Sequence, residues 1–146
     1  MEYKHLDDGR VLLSDVYCED IPYNGVFVVP NGVTKIDDDA FMGVANLEEV
    51  VLPNTVTEIG TDAFSDCESL KSINIPASVD TINSRAFLNC SSLNQIFIPN
   101  SVTSLFSGAF SGCSSLKTVR LPEILYKIRK NLFYNCTSLE NVILPK

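Results

Sequence analysis

From Asn24 to Pro145 the pattern of apolar and polar positions returns every 23 residues. One copy shows the logic. Ile96 and Ile98 alternate with Gln95 and Phe97, the period of a strand with one buried face. Pro99 ends that strand, since it has no N–H to give to a ladder. Val102 and Leu105 predict a second extended piece whose side chains point inward. The segment 107–112 is too short for a free helix and predicts one helical turn held by its neighbours. In that turn the small Ala109 permits close approach and Phe110 is the anchor. Cys113 returns the chain to the core, and Leu116 opens the next strand.

The same frame places Pro30, Pro53, Pro76, Pro99, Pro122 and Pro145 at one spacing, and likewise Phe41, Phe64, Phe87, Phe110 and Phe133. A fixed period of this size predicts a solenoid of stacked coils. Its strand occurs six times, starting with the segment 24–30, and five full coils follow. Equivalent positions then lie one above another at the strand spacing of ~4.8 Å. Three inward ladders are predicted: the Phe spine from Phe41 to Phe133; Cys67, Cys90, Cys113 and Cys136, with Val44 in the first coil; and Ile36, Ile59, Ile82, Leu105 and Ile128. One coil alone cannot offset the entropy of ordering its residues, whereas a stack can. Residues 1–23 stand outside the repeat. Asp7-Asp8-Gly9 between short apolar runs is a hairpin signal, so 1–23 are expected to form a hairpin and loop capping a solenoid over 24–146.

The repeated L-x-x-I-x-I-P, Ala-Phe, Cys and Leu positions resemble the BspA-type leucine-rich repeat family over most of the chain. Departures are few: Val44 for Cys, Leu132 for Ala, Leu125 for Val, and Asp37, Asn83, Phe106 and Arg129 where the family often has the Gly seen at Gly60. The resemblance implies a right-handed α/β solenoid. It also implies the family's usual roles in adhesion and protein binding, mostly in surface or secreted bacterial proteins, and it brings no catalytic residue with it.

Charge and composition narrow the function further. The net charge of −7 argues against nucleic acid as the main partner. The charge is uneven: residues 1–69 hold fifteen acidic and three basic side chains, residues 70–146 three acidic and eight basic. No apolar run approaches 18 residues and the N-terminus has no leader-like apolar segment. These features exclude a membrane-inserted helix and leave either a cytoplasmic protein or a trimmed piece of an exported one. The in-frame cysteines lack zinc-site spacing and are expected to be free, buried thiols. His5 is the only histidine and lies in the cap, and no nucleophile–base pair or phosphate loop is present, so no catalytic residue, metal or cofactor is expected. Asp37-Asp38-Asp39 reads as helix-start chemistry in preference to a calcium site. Asn89-Cys-Ser91 and Asn135-Cys-Thr137 match the glycosylation sequon but arise from the repeat itself.

Two surfaces remain. The outward sheet positions include Val51, Asn74, Gln95, Phe97, Thr118 and Arg120, and these are the expected contacts for a protein or glycoprotein partner. The alternative is a structural or assembly role through the ends of the rod. The last coil carries bulky Ile124, Leu125, Tyr126, Leu132 and Tyr134, and no polar capping repeat covers Val142 and Leu144. Either further coils have been removed or the end is buried against another molecule. In the second case a two-fold homodimer with Tyr126, Tyr134 and Val142 near its contact is the simplest closed form.

Overall fold

The computed structural model describes residues 1–125 and 127–144. Among these residues, twelve short strands are arranged as a β-solenoid of about six turns. They are β1 (Glu2–His5), β2 (Val11–Ser14), β3 (Val26–Val28), β4 (Lys35–Ile36), β5 (Glu49–Val51), β6 (Glu58–Ile59), β7 (Ser72–Ile73), β8 (Thr81–Ile82), β9 (Gln95–Phe97), β10 (Ser104–Leu105), β11 (Thr118–Arg120) and β12 (Asn141–Ile143). The first extended piece of each coil builds the outward sheet face and the second builds another sheet, ordered β1-β2-β4-β6-β8-β10. Solenoid pairs are parallel and in the frame of the repeat: Lys35 sits opposite Glu58, and Glu58 opposite Thr81.

The cap is a hairpin, as expected, with β1 antiparallel to β2. It is also partly inside the frame. Leu13 pairs with Ile36, and Val16 N–H donates to Ala40 O at 2.9 Å. Residues 11–16 therefore act as half a coil and cover the strand edge that the first coil would otherwise expose.

The predicted helical turn is not helical. The only helical element among the described residues is a 3-10 turn over Cys18–Asp20. In each coil the Ala-Phe segment is a run of turns whose alternate amides leave the coil. The N–H groups of Asp39, Phe41 and Gly43 donate to the carbonyls of Thr61, Ala63 and Ser65, and Arg85, Phe87 and Asn89 do the same to Ser107, Ala109 and Ser111. Amides committed to the next coil are not available to close helical rings. The geometry needs two left-handed residues per coil, and these rows hold Asp39, Asp62, Arg85, Gly108 and Asn131, then Gly43, Asp66, Asn89, Gly112 and Asn135. Asp, Asn and Gly tolerate that conformation best. Arg85 is the exception; its guanidinium grips Asp62 of the coil before through two bonds of 2.9 and 2.6 Å. The Asp37–Asp39 run accordingly starts no helix. Asp39 takes a left-handed position, Asp38 Oδ1 accepts from Thr61 N–H at 2.9 Å, and the Lys35 ammonium lies 3.6 and 3.7 Å from Asp37 and Asp38.

The core is the predicted set of ladders. Phe41, Phe64, Phe87 and Phe110 are fully buried, with successive ring centroids 4.8, 5.3 and 5.4 Å apart and nearly parallel. Phe27 closes the N-terminal end of the stack edge-on at 5.2 Å. The cysteine ladder does more than fill space. Each thiol donates to the Phe carbonyl of the coil before: Cys67 to Phe41, Cys90 to Phe64, Cys113 to Phe87 and Cys136 to Phe110, at 3.0 to 3.1 Å. At Val44 the equivalent carbonyl is that of Cys18, which already accepts from Ile21 N–H at 3.2 Å and Asn46 Nδ2 at 2.9 Å, so no thiol donor is needed there. Burial pushes the Cys67 and Cys113 thiols up to about 12, and Cys90 is raised well above its ordinary value for the same reason. All five cysteines are free, and Cys18 is exposed.

The last coil departs from the prediction at one ladder. Ile128 is 56% exposed where Ile36, Ile59 and Ile82 are buried. The second sheet ends at β10, and Arg129 N–H does not continue the series in which Asn83 donates to Ile59 O and Phe106 to Ile82 O. Without that strand Ile128 has no inward position to occupy. Among the described residues no helix is long and apolar enough to cross a membrane.

Candidate partner-binding face

Because side chains alternate along a strand, each outward sheet strand before β12 sends one residue into the core and its neighbours outward. Phe27, Val50, Ile73, Ile96 and Val119 are buried accordingly. Register then builds two outward rows. Gln95 lies opposite Thr118, which lies opposite Asn141; Phe97 lies opposite Arg120, which lies opposite Ile143. Phe97 is 59% exposed, and the Arg120 guanidinium carbon stands 5.8 Å from its ring centroid, within cation–π range. Arg120 meets Glu123 only at 3.9 Å, so its charge stays largely available.

The outward sheet is not continuous. β3, β5 and β7 form one sheet, and β9, β11 and β12 form another. The entry bonds run from Glu48 N–H to Gly25 O and from Lys71 N–H to Glu48 O, then resume from Lys117 N–H to Asn94 O and from Glu140 N–H to Lys117 O; the intervening bond from Asn94 N–H to Lys71 O is not made. Asn74 sits beside this break. Leu52 N–H, whose counterpart Val29 N–H donates to the backbone of Val51, donates instead to Asn74 Oδ1 at 2.8 Å, and Asn74 Nδ2 donates to Leu52 O at 3.1 Å.

At the break lies a cleft of about 470 Å³, lined by Ser72 and Ile73 on one side and by Gln95, Ile96, Phe97, Thr118, Arg120 and Ile143 on the other. Of the six residues expected at a partner contact, Gln95, Phe97, Thr118 and Arg120 meet at this cleft. Val51 is exposed on β5 away from it, and the Asn74 amide is spent on Leu52. Ser72 and Ile143, also outward positions of the frame, join the lining, and the inward-frame Ile73 and Ile96 reach it through the break. The available signal was Asn74 itself, a poor strand former in a row that otherwise reads Val28, Val51, Phe97, Arg120 and Ile143. Of the expected self-association residues, Tyr134 is 60% and Val142 39% exposed in the last coil, and Tyr126 lies outside the described residues. His5 is exposed on the cap strand β1.

Stacked coils of this frame define a leucine-rich repeat solenoid. Six copies of the BspA type leucine-rich repeat region match residues 24–146, and the chain belongs to that family. The leucine-rich repeat protein of T. pallidum is 30% identical with a TM-score of 0.88; the alignment covers 97% of this chain and 67% of that one. A leucine-rich cell surface protein from Faecalibacterium prausnitzii is 33% identical with a TM-score of 0.88, covering 97% of this chain and 37% of that one. The pneumococcal vaccine antigen PcpA shares the fold, at 20% identity and a TM-score of 0.75 over 87% of this chain and 31% of that one. No curated protein matches the chain. Leucine-rich repeat proteins of this kind are typically protein-interaction proteins, and the fold is generally non-enzymatic.

Proposed function

We propose that the protein is a non-enzymatic interaction module that holds a protein or glycoprotein partner against its outward sheet face, in adhesion or a similar surface contact. The observation that carries this reading is the exposed Phe97 ring beside a loosely paired Arg120 at the mouth of the cleft. Aromatic and Arg side chains are the usual anchors of protein interfaces, and repeat proteins bind through such extended surfaces. The likeness to a Faecalibacterium protein described as a cell surface protein supports a role at a cell surface. Pull-downs from host and self lysates, with wild type beside Phe97→Ser and Arg120→Glu, test the reading. A partner lost from both variants and kept by the distant Tyr134→Ser supports it. A partner retained by both face variants overturns it.

A second reading is assembly through the last coil, where the Tyr134 ring is exposed. A two-fold dimer is its simplest closed form. Sedimentation across a dilution series tests it, and a strictly monomeric protein at high micromolar concentration rules it out.

A further inference from the structure

We propose that Asn74 holds the outward sheet open, and that the cleft so formed takes an extended peptide segment in which apolar side chains alternate with carboxylates. The inference rests on the sheet-face reading above and adds to it the device that makes the site and the chemistry of the occupant.

The device is local. Asparagine side chains compete with the backbone for its own hydrogen bonds. Here the Asn74 amide takes both Leu52 N–H and Leu52 O, and the ladder fails at the next coil. Among the described residues Asn94 N–H, whose counterparts at Glu48, Lys71, Lys117 and Glu140 are all paired, has no hydrogen-bond partner, and neither has Ile75 N–H or, one coil on, Ile98 N–H. In a repeat this regular, one residue that breaks the ladder costs stability, and such breaches are expected where a site is built. The second sheet continues through the same two coils, with β8 paired to β10, so the opening is confined to the outward face.

The occupant follows from what surrounds the opening. Free main-chain donors are what an extended peptide backbone satisfies when it docks on a sheet. Ile73, Ile96, Phe97 and Ile143 give the cleft an apolar surface for side chains. Arg120 is the one charged residue lining it. Lys71 and Lys117 stand on either side of Asn94 in the strand-entry row; Lys71 is paired with Glu48 at 2.6 Å, and Lys117 has no ion pair among the described residues. No acidic side chain lines the cleft. The lining thus carries one positive charge and no negative one, and a carboxylate is its complement; in the strand-entry row Glu48 and Glu140 balance Lys71 and Lys117.

The probe is a fluorescein-labelled hexapeptide of alternating glutamate and leucine, with the lysine–leucine hexapeptide as control, read by fluorescence anisotropy. Asn74→Val installs the residue that the same row already carries at Val28 and Val51. Amide exchange at Ile75 and Asn94 reports whether the ladder has closed. The expected result is binding of the acidic peptide alone, with affinity falling about tenfold or more in Asn74→Val and in Arg120→Ala, and with slowed exchange at Ile75 and Asn94 in Asn74→Val. Equal binding of the lysine peptide, or no binding of the acidic one, overturns the assigned occupant. Unchanged exchange in Asn74→Val overturns the role of Asn74. If that variant closes the ladder yet keeps full affinity while Phe97→Ser loses it, the cleft is not the site and the sheet-face reading survives. If Phe97→Ser also keeps full affinity, both fall.

Discussion

Removing one ring from the spine tests the stacked architecture most directly. Phe87 is fully buried, with ring neighbours on both sides at 5.3 and 5.4 Å. Phe87→Ala forfeits the transfer of a large apolar side chain, about 1.5–3 kcal/mol. It also forfeits two ring pairs, each worth about 0.5–1.5 kcal/mol beyond burial, and it leaves a cavity that rigid stacked coils close poorly. These terms place the loss toward the upper end of the roughly 3–5 kcal/mol typical of Phe→Ala in a core. Phe133 supplies the internal control. It is only partly buried and, among the described residues, has one ring neighbour, at 6.0 Å. Its removal should cost about 1–2 kcal/mol, from partial transfer and one ring pair. Equilibrium denaturation in urea measures both, with the slope checked so that a change of midpoint reports stability alone. A Phe87→Ala protein within ~1 kcal/mol of wild type, or one no worse than Phe133→Ala, would refute the continuous spine.

The thiols give two further tests. A thiol reagent should label Cys18 rapidly in the native protein, Cys136 slowly, and Cys67, Cys90 and Cys113 only after unfolding; mass spectrometry of the labelled peptides reads the order. The raised values of the buried thiols also predict pH dependence. A thiol whose folded value lies above its unfolded one stabilises fully below the unfolded value, near 9, and that contribution is lost as pH rises toward about 12. Urea midpoints should thus fall as pH rises from about 8.5 to about 10.5, and by less in Cys90→Val. Gly112→Ala should destabilise by about 1–3 kcal/mol, because φ is +75° and the added methyl would meet Asn89 Oδ1; a melt unchanged from wild type would contradict the left-handed row.

Much of this molecule can be read from one dimension because its contacts are periodic. A side chain at one position packs on its own copies 23 residues away, so spacing alone places Phe87 between Phe64 and Phe110 and sends Phe97 outward. The inward ladders, the hairpin at Asp7-Asp8-Gly9 and the meeting of Phe97 with Arg120 follow from register without further information. Other features depend on where backbone hydrogen bonds go, which residue type does not state. The Ala-Phe segment looks like a helical turn by composition, but its amides are drawn to the next coil and its Asp and Asn residues serve left-handed positions instead. Leu13 and Val16 complete a half coil because their partners, Ile36 and Ala40, happen to need one. Val44 reads as a conservative stand-in for cysteine, yet the thiol is a donor to a carbonyl of the previous coil, and only the stack reveals that the equivalent Cys18 carbonyl is already taken by Ile21 N–H and Asn46 Nδ2. Ile128 fits the inward frame but finds no strand to carry it. The candidate site divides the same way. Its anchors are legible as outward positions, whereas the cleft exists because one asparagine side chain won a competition for Leu52 that only the folded arrangement could decide.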